Sequence, residues 1–253
     1  RVLSMGLLEG KTIIVTGAGG NIGQAYCRGF LAEGANVLAA DLGDISDMVA
    51  SWRGGDRVCA FRANVLEQAE CDAMVKAAVD TFGNIDGIVN NAGFFKSASF
   101  GSFMDITPEE WDLCYQVNVR GTWQCCRAVY PYMKAQGAGR IINISSNTPY
   151  KGIPNFLHYV SSKMAIVGMT RAMAREIGGD GIIVNSLCPD LIPDDEIHER
   201  QGTAANDRTV GERCIKRTQL PEDMVGAAVF LLSDMSGFIT GQSLLVNGGA
   251  HFN

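Results

Sequence analysis

A glycine-rich turn between two apolar runs constrains the fold of this chain more than any other feature. The turn, residues 17–23, follows a strand-like run at 11–16 and opens a helical pattern, after which a second apolar run at 36–40 ends at Asp41. Glycines let a backbone approach a pyrophosphate, a helix N-terminus supplies N–H donors, and an acid at this place binds ribose hydroxyls. This order of elements predicts a parallel α/β fold with a dinucleotide-binding site.

Strands and helices continue to alternate over the rest of the chain. Further strands are expected at residues 57–62, 86–90, 140–145, 182–187 and 242–246, and helices at 67–82, at 107–135, up to about 178 and from 220. The alternation predicts a Rossmann-type, doubly wound sheet of seven parallel strands with helices on both faces.

The chain ends and one long connection need separate interpretation. Residues 1–4 precede Met5 and are expected to be a cloning remnant or an upstream extension. The polar connection at residues 189–217 is too long for a plain linker in a compact domain. We therefore expect a substrate lid at residues 190–217, within a single domain that spans residues 1–253.

Composition excludes several classes of function. The chain has 21 Lys and Arg against 27 Asp and Glu, a net charge of -6, so it offers no basic footprint for nucleic acid. It contains no run of about 18 apolar residues, so no membrane association is predicted. Its eight cysteines show neither zinc-ligand nor redox spacing, which predicts no metal site and a reduced, cytoplasmic protein.

The candidate catalytic segment lies at residues 143–163. Tyr159 and Lys163 are four residues apart, so on a helix both side chains lie on one face. An ammonium beside a phenol lowers the phenol pKa, which makes Tyr159 a candidate proton acceptor. Ser146 stands thirteen residues before the tyrosine. His158 adjoins it but points elsewhere on a helix, and is expected at a polar rim.

The same tyrosine–lysine spacing occurs twice, so the motif alone is a weak signal. Tyr130 and Lys134 repeat it, but the position thirteen residues upstream is Val117, which has no hydroxyl. We expect that pair at a helix surface or a subunit contact. The surrounding residues, and not the spacing, distinguish Tyr159.

With these residues assembled, the chain resembles the short-chain dehydrogenase/reductase family along nearly its whole length. The landmarks follow the order and spacing of that family: Thr16, Gly17, Gly23, Asp41, Asn64, Val65, residues 90–93, Asn118, Ser146, Tyr159, Lys163, Pro189 and residues 246–249. The resemblance implies NAD as the cofactor and an oxidoreductase as the activity.

The resemblance also assigns roles to individual residues. Ser146 would polarise the substrate oxygen and Tyr159 would exchange its proton. Lys163 would bind the nicotinamide ribose and depress the Tyr159 pKa, and Asn118 would hold a water that links Lys163 to solvent. The implied cofactor-binding residues are Gly17, Asn21, Ile22, Gly23, Asp41, Leu42, Asn64, Val65, Asn90, Ala92, Gly93, Tyr159, Lys163, Pro189 and Ile192.

Four positions depart from the family pattern. Asn21 replaces a usual glycine and is expected to tolerate a left-handed backbone. Asn64 replaces the commoner Asp and can still accept a hydrogen bond from adenine. Asp190 replaces the glycine after Pro189, and Asp194 replaces a threonine that meets the nicotinamide carboxamide. Asp194 would accept from that carboxamide or face water.

Three interpretations of the function follow. The leading one is an NAD(H)-dependent interconversion of a secondary alcohol and its ketone, with Tyr159 as acid/base. The first alternative is a 3-oxoacyl-thioester-type carbonyl reductase, which generally uses NADPH, whose 2′-phosphate Asp41 would repel. The second is a non-catalytic NAD-binding sensor, which would not need the full catalytic set. The resemblance further favours a homotetramer built on the two long helices and the last strand.

Three segments are expected to surround the substrate: residues 94–100, residues 147–158 and the lid from Asp190. They supply a largely aromatic set: Phe94, Phe95, Phe100, Tyr150, Ile153 and Phe156. Ligand pockets are mostly apolar with a few polar groups, so a cyclic or aromatic secondary alcohol is expected. Lys96 and Lys151 are expected to be solvated, so a carboxylate-bearing substrate is not favoured.

Overall fold

A computed structural model describes residues 6–252, except for the side chains of residues 195–203. Residues 1–4, expected to be a remnant or an extension, lie outside the described residues. The described part contains a sheet of seven strands, all parallel, as predicted. The strands are β1 (Thr12–Thr16), β2 (Asn36–Asp41), β3 (Val58–Arg62), β4 (Gly87–Asn90), β5 (Gly139–Ile144), β6 (Ile182–Pro189) and β7 (Ser243–Val246).

Helices cover both faces of this sheet. They are α1 (Asn21–Ala32), α2 (Ser46–Ser51), α3 (Gln68–Phe82), α4 (Pro108–Tyr115), α5 (Thr122–Gln136), α6 (Thr148–Lys151), α7 (Leu157–Ile177), α8 (Asp195–Glu212) and α9 (Val225–Leu232). Ile13 and Val15 of β1 are buried in one core with residues of α1 and α9. Ile14, between them, is buried in a second core with residues of α3, α5 and α7. Alternating residues of a strand face opposite sides, so the fully apolar β1 needs helices on both.

The strand order creates a crevice at one edge of the sheet. The order is β3-β2-β1-β4-β5-β6-β7, so the chain winds in opposite directions on the two sides of β1. Ligands of doubly wound sheets bind where the order reverses, outside the carboxyl ends of the strands. The glycine-rich turn follows β1, and residues 91–93 follow its neighbour β4, so both lie at this crevice.

The helix predicted at residues 107–135 is interrupted. Thr107 caps α4, with Oγ1 accepting a hydrogen bond from the Glu110 backbone N–H at 3.2 Å. Wider turns of a π-helix at Gln116–Gly121 then separate α4 from α5. Asn118, which lies in these turns, is completely buried. Wider turns inside helices frequently occur at functional sites.

The polar connection at residues 189–217 contains the helix α8, which the sequence pattern did not predict. The helix carries no continuous apolar stripe, so its periodicity is not visible in the sequence. His198 falls among the side chains that are not described. Within the described residues, no helix is long and apolar enough to cross a membrane. Those residues also contain no cluster of His, Cys, Asp and Glu that could hold a metal ion.

Candidate active site

Two adjoining cavities open at the carboxyl ends of the strands. The walls of the first, the tyrosine cavity of about 240 Å³, include Ser146, Tyr159 and Lys163. The walls of the second, the glycine cavity, include Gly17 and Asp41. The two form one cleft, because several residues line both: Asn21, Ile22, Asn91, Gly93, Phe95 and Lys96.

Gly17 and Gly23 of the glycine-rich turn are packed too tightly for side chains. Gly17 has a left-handed backbone with φ of +63°, and a Cβ there would lie 2.9 Å from the Ala92 Cα. A Cβ on Gly23 would lie 2.2 Å from the Gly17 carbonyl oxygen. Asn21 is the first residue of α1 and is not among the described residues with a left-handed backbone, so the tolerance expected of it is not needed. The first turn of α1 holds no acidic residue, which leaves its N-terminus suited to an anion.

Asp41 ends β2 at the rim of the glycine cavity. Its Oδ2 accepts a hydrogen bond from the Gly19 N–H at 2.8 Å, and its Oδ1 accepts one from the Gly43 N–H at 3.3 Å. These backbone donors fix the carboxylate beside the exposed Leu42, which lines the same cavity. Arg62 Nε donates to the Leu42 carbonyl oxygen at 3.1 Å. A cation therefore lies near the Leu42 backbone, which the sequence did not indicate.

Most of the predicted cofactor residues lie on the walls of the cleft, but Asn90 does not. Its amide donates to a side chain of β5 at 2.9 Å, inside the sheet. The next residue, Asn91, lines both cavities, and its Nδ2 donates to the Gly17 carbonyl at 3.0 Å. Asn90 is the last residue of the strand, so the chain turns toward the cleft only after it. The remaining wall residues of the predicted set are Ile22, Asn64, Val65, Ala92, Gly93, Pro189 and Ile192.

Tyr159 and Lys163 share one buried face of α7. The Lys163 Nζ lies 5.7 Å from the centre of the Tyr159 ring, and the two residues are only 5% and 6% exposed, respectively. The Lys163 Nζ donates to the Ile144 carbonyl oxygen at 2.9 Å. The Ser145 Oγ donates to the Lys163 carbonyl oxygen at 2.7 Å. Both hydrogen bonds fasten α7 to the carboxyl end of β5, where the tyrosine cavity begins.

Burial governs the protonation of this pair and corrects the expectation from the sequence. Burial raises the pKa of the Tyr159 phenol well above its usual value, while a hydrogen bond with Ser146 acts to lower it. Burial also lowers the pKa of Lys163 to about 8. The Tyr159 pKa is therefore raised and not lowered as expected, because the loss of water around the phenolate outweighs the contributions that lower it.

Ser146 presents its hydroxyl to the tyrosine cavity. Its Oγ accepts hydrogen bonds from the backbone N–H and the Oγ1 of Thr148, both at 3.1 Å. A hydroxyl has one proton to donate and two acceptor positions. With its acceptor positions engaged, the Ser146 hydroxyl can donate to an oxygen atom in the cavity beside Tyr159.

Asn118 supports the cleft from behind and does not line it. Its Oδ1 accepts a hydrogen bond from the Phe94 N–H at 2.7 Å, and its Nδ2 donates to the Ser162 Oγ at 2.9 Å. Gly93 separates it from the cavity: a Cβ on Gly93 would lie 3.3 Å from the Asn118 Oδ1 and 3.4 Å from the Lys163 Nζ. The structure thus brings Asn118 close to the lysine across a glycine.

Asp190 and Asp194, the two acids that depart from the family pattern, both form ion pairs. The Asp190 side chain is 6% exposed, and its Oδ2 lies 3.0 Å from the Nε of the buried Arg213. Its Oδ1 lies 3.3 Å from the Lys151 Nζ. Asp194 forms an ion pair with Lys96 at 2.9 Å, and both residues line the tyrosine cavity. Asp194 therefore pairs with a cation of another loop. The expected solvation is wrong for Lys151, whose side chain is 12% exposed, whereas the ion-paired Lys96 keeps a side chain that is 46% exposed.

Aromatic side chains form much of the remaining wall. Phe156 stacks on Tyr159 with ring centres 4.5 Å apart and on Phe100 with centres 4.0 Å apart. Phe95 lies 5.3 Å from the Tyr159 ring. Phe95, Phe100, Ile153 and Phe156 line the tyrosine cavity, but Phe94 and Tyr150 are not among the described lining residues.

His158 is not at the rim where it was expected. It is completely buried, and its Nε2 lies 3.0 Å from the Glu110 Oε1 of α4. Glu110 also accepts hydrogen bonds from the N–H and the Oγ of Ser99, at 2.6 and 2.9 Å. The loop that carries Phe95 and Phe100 is thereby tied to the start of α7. Contact with another helix, which sequence spacing cannot show, accounts for the burial.

Comparison with known proteins agrees with the fold and the cleft. A family model described as enoyl-(acyl carrier protein) reductase matches residues 17–251. Oxidoreductase UcpA from Salmonella typhimurium is 36% identical, over 97% of this chain and 96% of the relative. Two solved structures are similar over nearly their whole length. One is a short-chain dehydrogenase/reductase described as glucose/ribitol dehydrogenase from Brucella melitensis, with a TM-score of 0.87 and 27% identity, covering 98% of this chain and 99% of that one. The other is an NAD⁺-bound xylitol dehydrogenase, with a TM-score of 0.89 and 29% identity, covering 96% and 99%. The chain is an oxidoreductase that belongs to the short-chain dehydrogenase/reductase family.

Proposed function

We propose that this protein is an NAD(H)-dependent dehydrogenase that interconverts a cyclic or aromatic secondary alcohol and its ketone. The observation that carries the proposal is the convergence of Ser146, Tyr159 and Lys163 on one cavity with a largely aromatic wall. A hydroxyl donor and a phenol beside apolar rings suit an oxygen atom on a ring-bearing substrate.

Each residue of this set would have a distinct task. The Ser146 Oγ would hold the substrate oxygen, and the Tyr159 Oη would give or take its proton, while NAD supplies the hydride chemistry. Because burial keeps the Tyr159 phenol protonated at neutral pH, the residues as they lie favour protonation of a ketone. Alcohol oxidation needs the phenolate, so kcat/KM for oxidation should increase as the pH rises. Lys163, with a pKa of about 8, could pass a proton near neutral pH, and Asn118 lies behind it.

The glycine cavity fits the cofactor proposed for it. Side chains at Gly17 and Gly23 would clash with neighbouring backbone atoms, so these glycines keep the close packing of strand and helix that a pyrophosphate-binding turn requires. Asp41 is held by backbone N–H groups at the glycine cavity, where its carboxylate would accept hydrogen bonds from the ribose hydroxyls and repel a 2′-phosphate. The likeness to an NAD⁺-bound xylitol dehydrogenase supports the same cofactor.

Steady-state kcat/KM with NAD and NADP tests the cofactor choice. We expect NAD to be preferred by at least about tenfold, roughly 1.4 kcal/mol. Asp41→Ala should lower the ratio of kcat/KM with NAD to kcat/KM with NADP. Asp47→Ala is the matched control, since Asp47 is an exposed carboxylate of α2 outside the lining of both cavities, and it should leave kcat/KM with NAD and with NADP unchanged. Equal use of both cofactors by the parent protein would contradict the proposal.

A series of neutral alcohols tests the substrate class. The kcat/KM should rise more than tenfold from 2-propanol to cyclohexanol or 1-phenylethanol. Burying roughly 100 Å² of ring surface at about 25 cal/mol/Å² accounts for such a gain. A flat profile over the series, or a clear preference for sugars or acyl thioesters, would contradict the proposal.

An acyl-thioester reductase is the second candidate, which the description of the matching family model favours. Asp41 and the small tyrosine cavity weigh against it, since pockets for drug-sized ligands measure roughly 300–1,000 Å³. If the protein reduces acetoacetyl thioesters with NADPH, the acyl-thioester reductase becomes the better supported of the two candidate functions. We further propose a single domain over residues 1–253, a lid at residues 190–217, a homotetramer and a cytoplasmic location.

A further inference from the structure

The tyrosine cavity carries more charge than a site for a neutral alcohol needs. Among the described residues on its walls, the cations are Lys96, Lys151, Lys163 and Arg208, and the anions are Asp190, Asp194 and Glu212. How these charges pair decides whether a cation remains for the substrate.

The lysines are all engaged with groups of the protein. Lys96 pairs with Asp194 at 2.9 Å, and the Lys151 Nζ lies 2.8 Å from a carboxylate oxygen of Glu212. Asp190 is held by Lys151 and by the buried Arg213, as described above. The Lys163 Nζ donates to a backbone carbonyl at 2.9 Å. Every anion on the wall therefore already has a cation.

Arg208 differs from the other cations on the wall. It is exposed, and in the part of the chain that the structure describes it makes no hydrogen bond or ion pair. Ala205, Arg208, Thr209 and Glu212 all line the cavity, and their spacing of three, four and seven residues defines one face of α8. This face is turned to the cavity, so α8 places Arg208 on the cavity wall.

We propose that Arg208 binds a carboxylate of the substrate, so that the substrate is a ring-bearing secondary alcohol with an acid group and the product its keto acid. The inference rests on the proposed function and names its substrate class. A guanidinium presents paired N–H donors that match the two oxygens of a carboxylate. Ser146 and Tyr159 would hold the reacting oxygen, the rings of Phe95 and Phe100 the body of the substrate, and Arg208 the acid.

From the sequence, only Lys96 and Lys151 were expected near the pocket, and a carboxylate was therefore not favoured. Arg208 was missed because α8 was not predicted. Because Arg208 is exposed and unpaired in the described part of the chain, its replacement should leave the fold intact.

Matched substrates test the inference with the NAD-dependent enzyme. We would measure kcat and KM for the 3- and 4-isomers of (1-hydroxyethyl)benzoate and for their neutral methyl esters. At least one acid should exceed its ester about tenfold in kcat/KM at low ionic strength. That advantage should shrink as salt is added, because an exposed charge is screened.

Three variants complete the experiment. Arg208→Gln should lower kcat/KM for the preferred acid about tenfold, mainly through KM, and change the ester less than twofold. Arg208→Lys should retain part of the advantage. Arg175→Gln removes an exposed arginine of α7 that does not line the cavity, and it should leave kcat/KM unchanged for both the acid and the ester.

The outcomes separate this inference from the proposed function. If 1-phenylethanol and the esters are oxidised but no acid is preferred, the inference is wrong and the proposed function stands. An equal loss for acid and ester in Arg208→Gln would also overturn the inference. If no ring-bearing alcohol is oxidised with NAD, the proposed function fails, and the inference fails with it.

Discussion

Two tyrosine–lysine pairs with identical spacing lie on neighbouring long helices of this protein. The Lys134 Nζ lies 5.4 Å from the centre of the Tyr130 ring on α5, and the Lys163 Nζ lies 5.7 Å from that of Tyr159 on α7. The internal geometry of the two pairs is therefore almost the same. It follows directly from the four-residue spacing on a helix.

The surroundings of the two pairs are opposite. The Tyr130 Oη donates to the Asp180 Oδ2 at 2.8 Å, and the Lys134 Nζ lies 3.4 Å from the same atom with its side chain 54% exposed. The hydrogen bond with Tyr130 and the nearby Asp180 raise the Lys134 pKa. Lys163 is buried away from carboxylates, and burial lowers its pKa to about 8.

The upstream hydroxyl marks a second difference. Ser146 lines the cavity of Tyr159, whereas Val117, at the same offset from Tyr130, lines the glycine cavity. The four-residue spacing therefore determines the geometry of each tyrosine–lysine pair. Burial and a neighbouring hydroxyl distinguish the pair that forms a candidate catalytic site. The following predictions test this difference.

The largest effect is expected from the tyrosines. Tyr159→Phe should lower turnover about 10²–10⁴-fold, because only the proton-transfer group is lost. NADH binding, followed by fluorescence titration, should be nearly unchanged. Tyr130→Phe, the matched control, should keep most of its activity. Equal losses in the two variants would show that the pairs are not functionally different.

Removal of the upstream hydroxyl should have the next largest effect. Ser146→Ala should lower kcat about 10²-fold, because a donor to the reacting oxygen is lost. Ser161→Ala is the control, since the Ser161 Oγ donates only to backbone carbonyls of its own helix. The kcat at saturating alcohol is measured for both variants. Full activity of Ser146→Ala would show that Ser146 takes no part in catalysis.

The two lysines should have different effects on the free energy of unfolding of the protein, and these effects should depend differently on pH. Lys163→Met should raise the free energy of unfolding at pH 7 by about 1–3 kcal/mol, because burial of the ammonium is costly. The penalty in the parent is full below the folded pKa of about 8 and fades as the pH approaches the unfolded value of 10.5, so the gain should shrink over that window. Urea unfolding at pH 7 and pH 10 measures this.

Lys134→Met is the control for that experiment. Its side chain is largely exposed, so its replacement should change stability little, and should lower it if at all. A gain in Lys134→Met equal to that in Lys163→Met would show that burial is not the cause.

The smallest effect is expected at the partner of the surface pair. Asp180→Asn removes the charge that Tyr130 and Lys134 share, and should lower the free energy of unfolding by at most about 0.5 kcal/mol. Turnover should be unchanged. A tenfold loss of activity would connect the surface pair with the candidate site and break the distinction between the two pairs.

The sequence by itself determined the local elements of this protein. The apolar run at residues 11–16 became β1 (Thr12–Thr16), and the helical pattern at 67–82 became α3 (Gln68–Phe82). The glycine turn, the shared face of Tyr159 and Lys163, and the family were also visible. The strands, the helices, the turn and the shared face each depend on residues close together in the chain, where periodicity and glycine geometry act directly. The family was visible because its landmarks keep their order and spacing along the whole sequence.

Only the tertiary structure decided what surrounds those elements. His158 is buried because α4 brings Glu110 to it, and Asp194 is paired because another loop brings Lys96. The raised pKa of Tyr159 and the place of Arg208 on the cavity wall likewise depend on segments far apart in sequence. Burial and charge pairing are properties of packed neighbours, and sequence spacing alone does not specify which distant residues become neighbours.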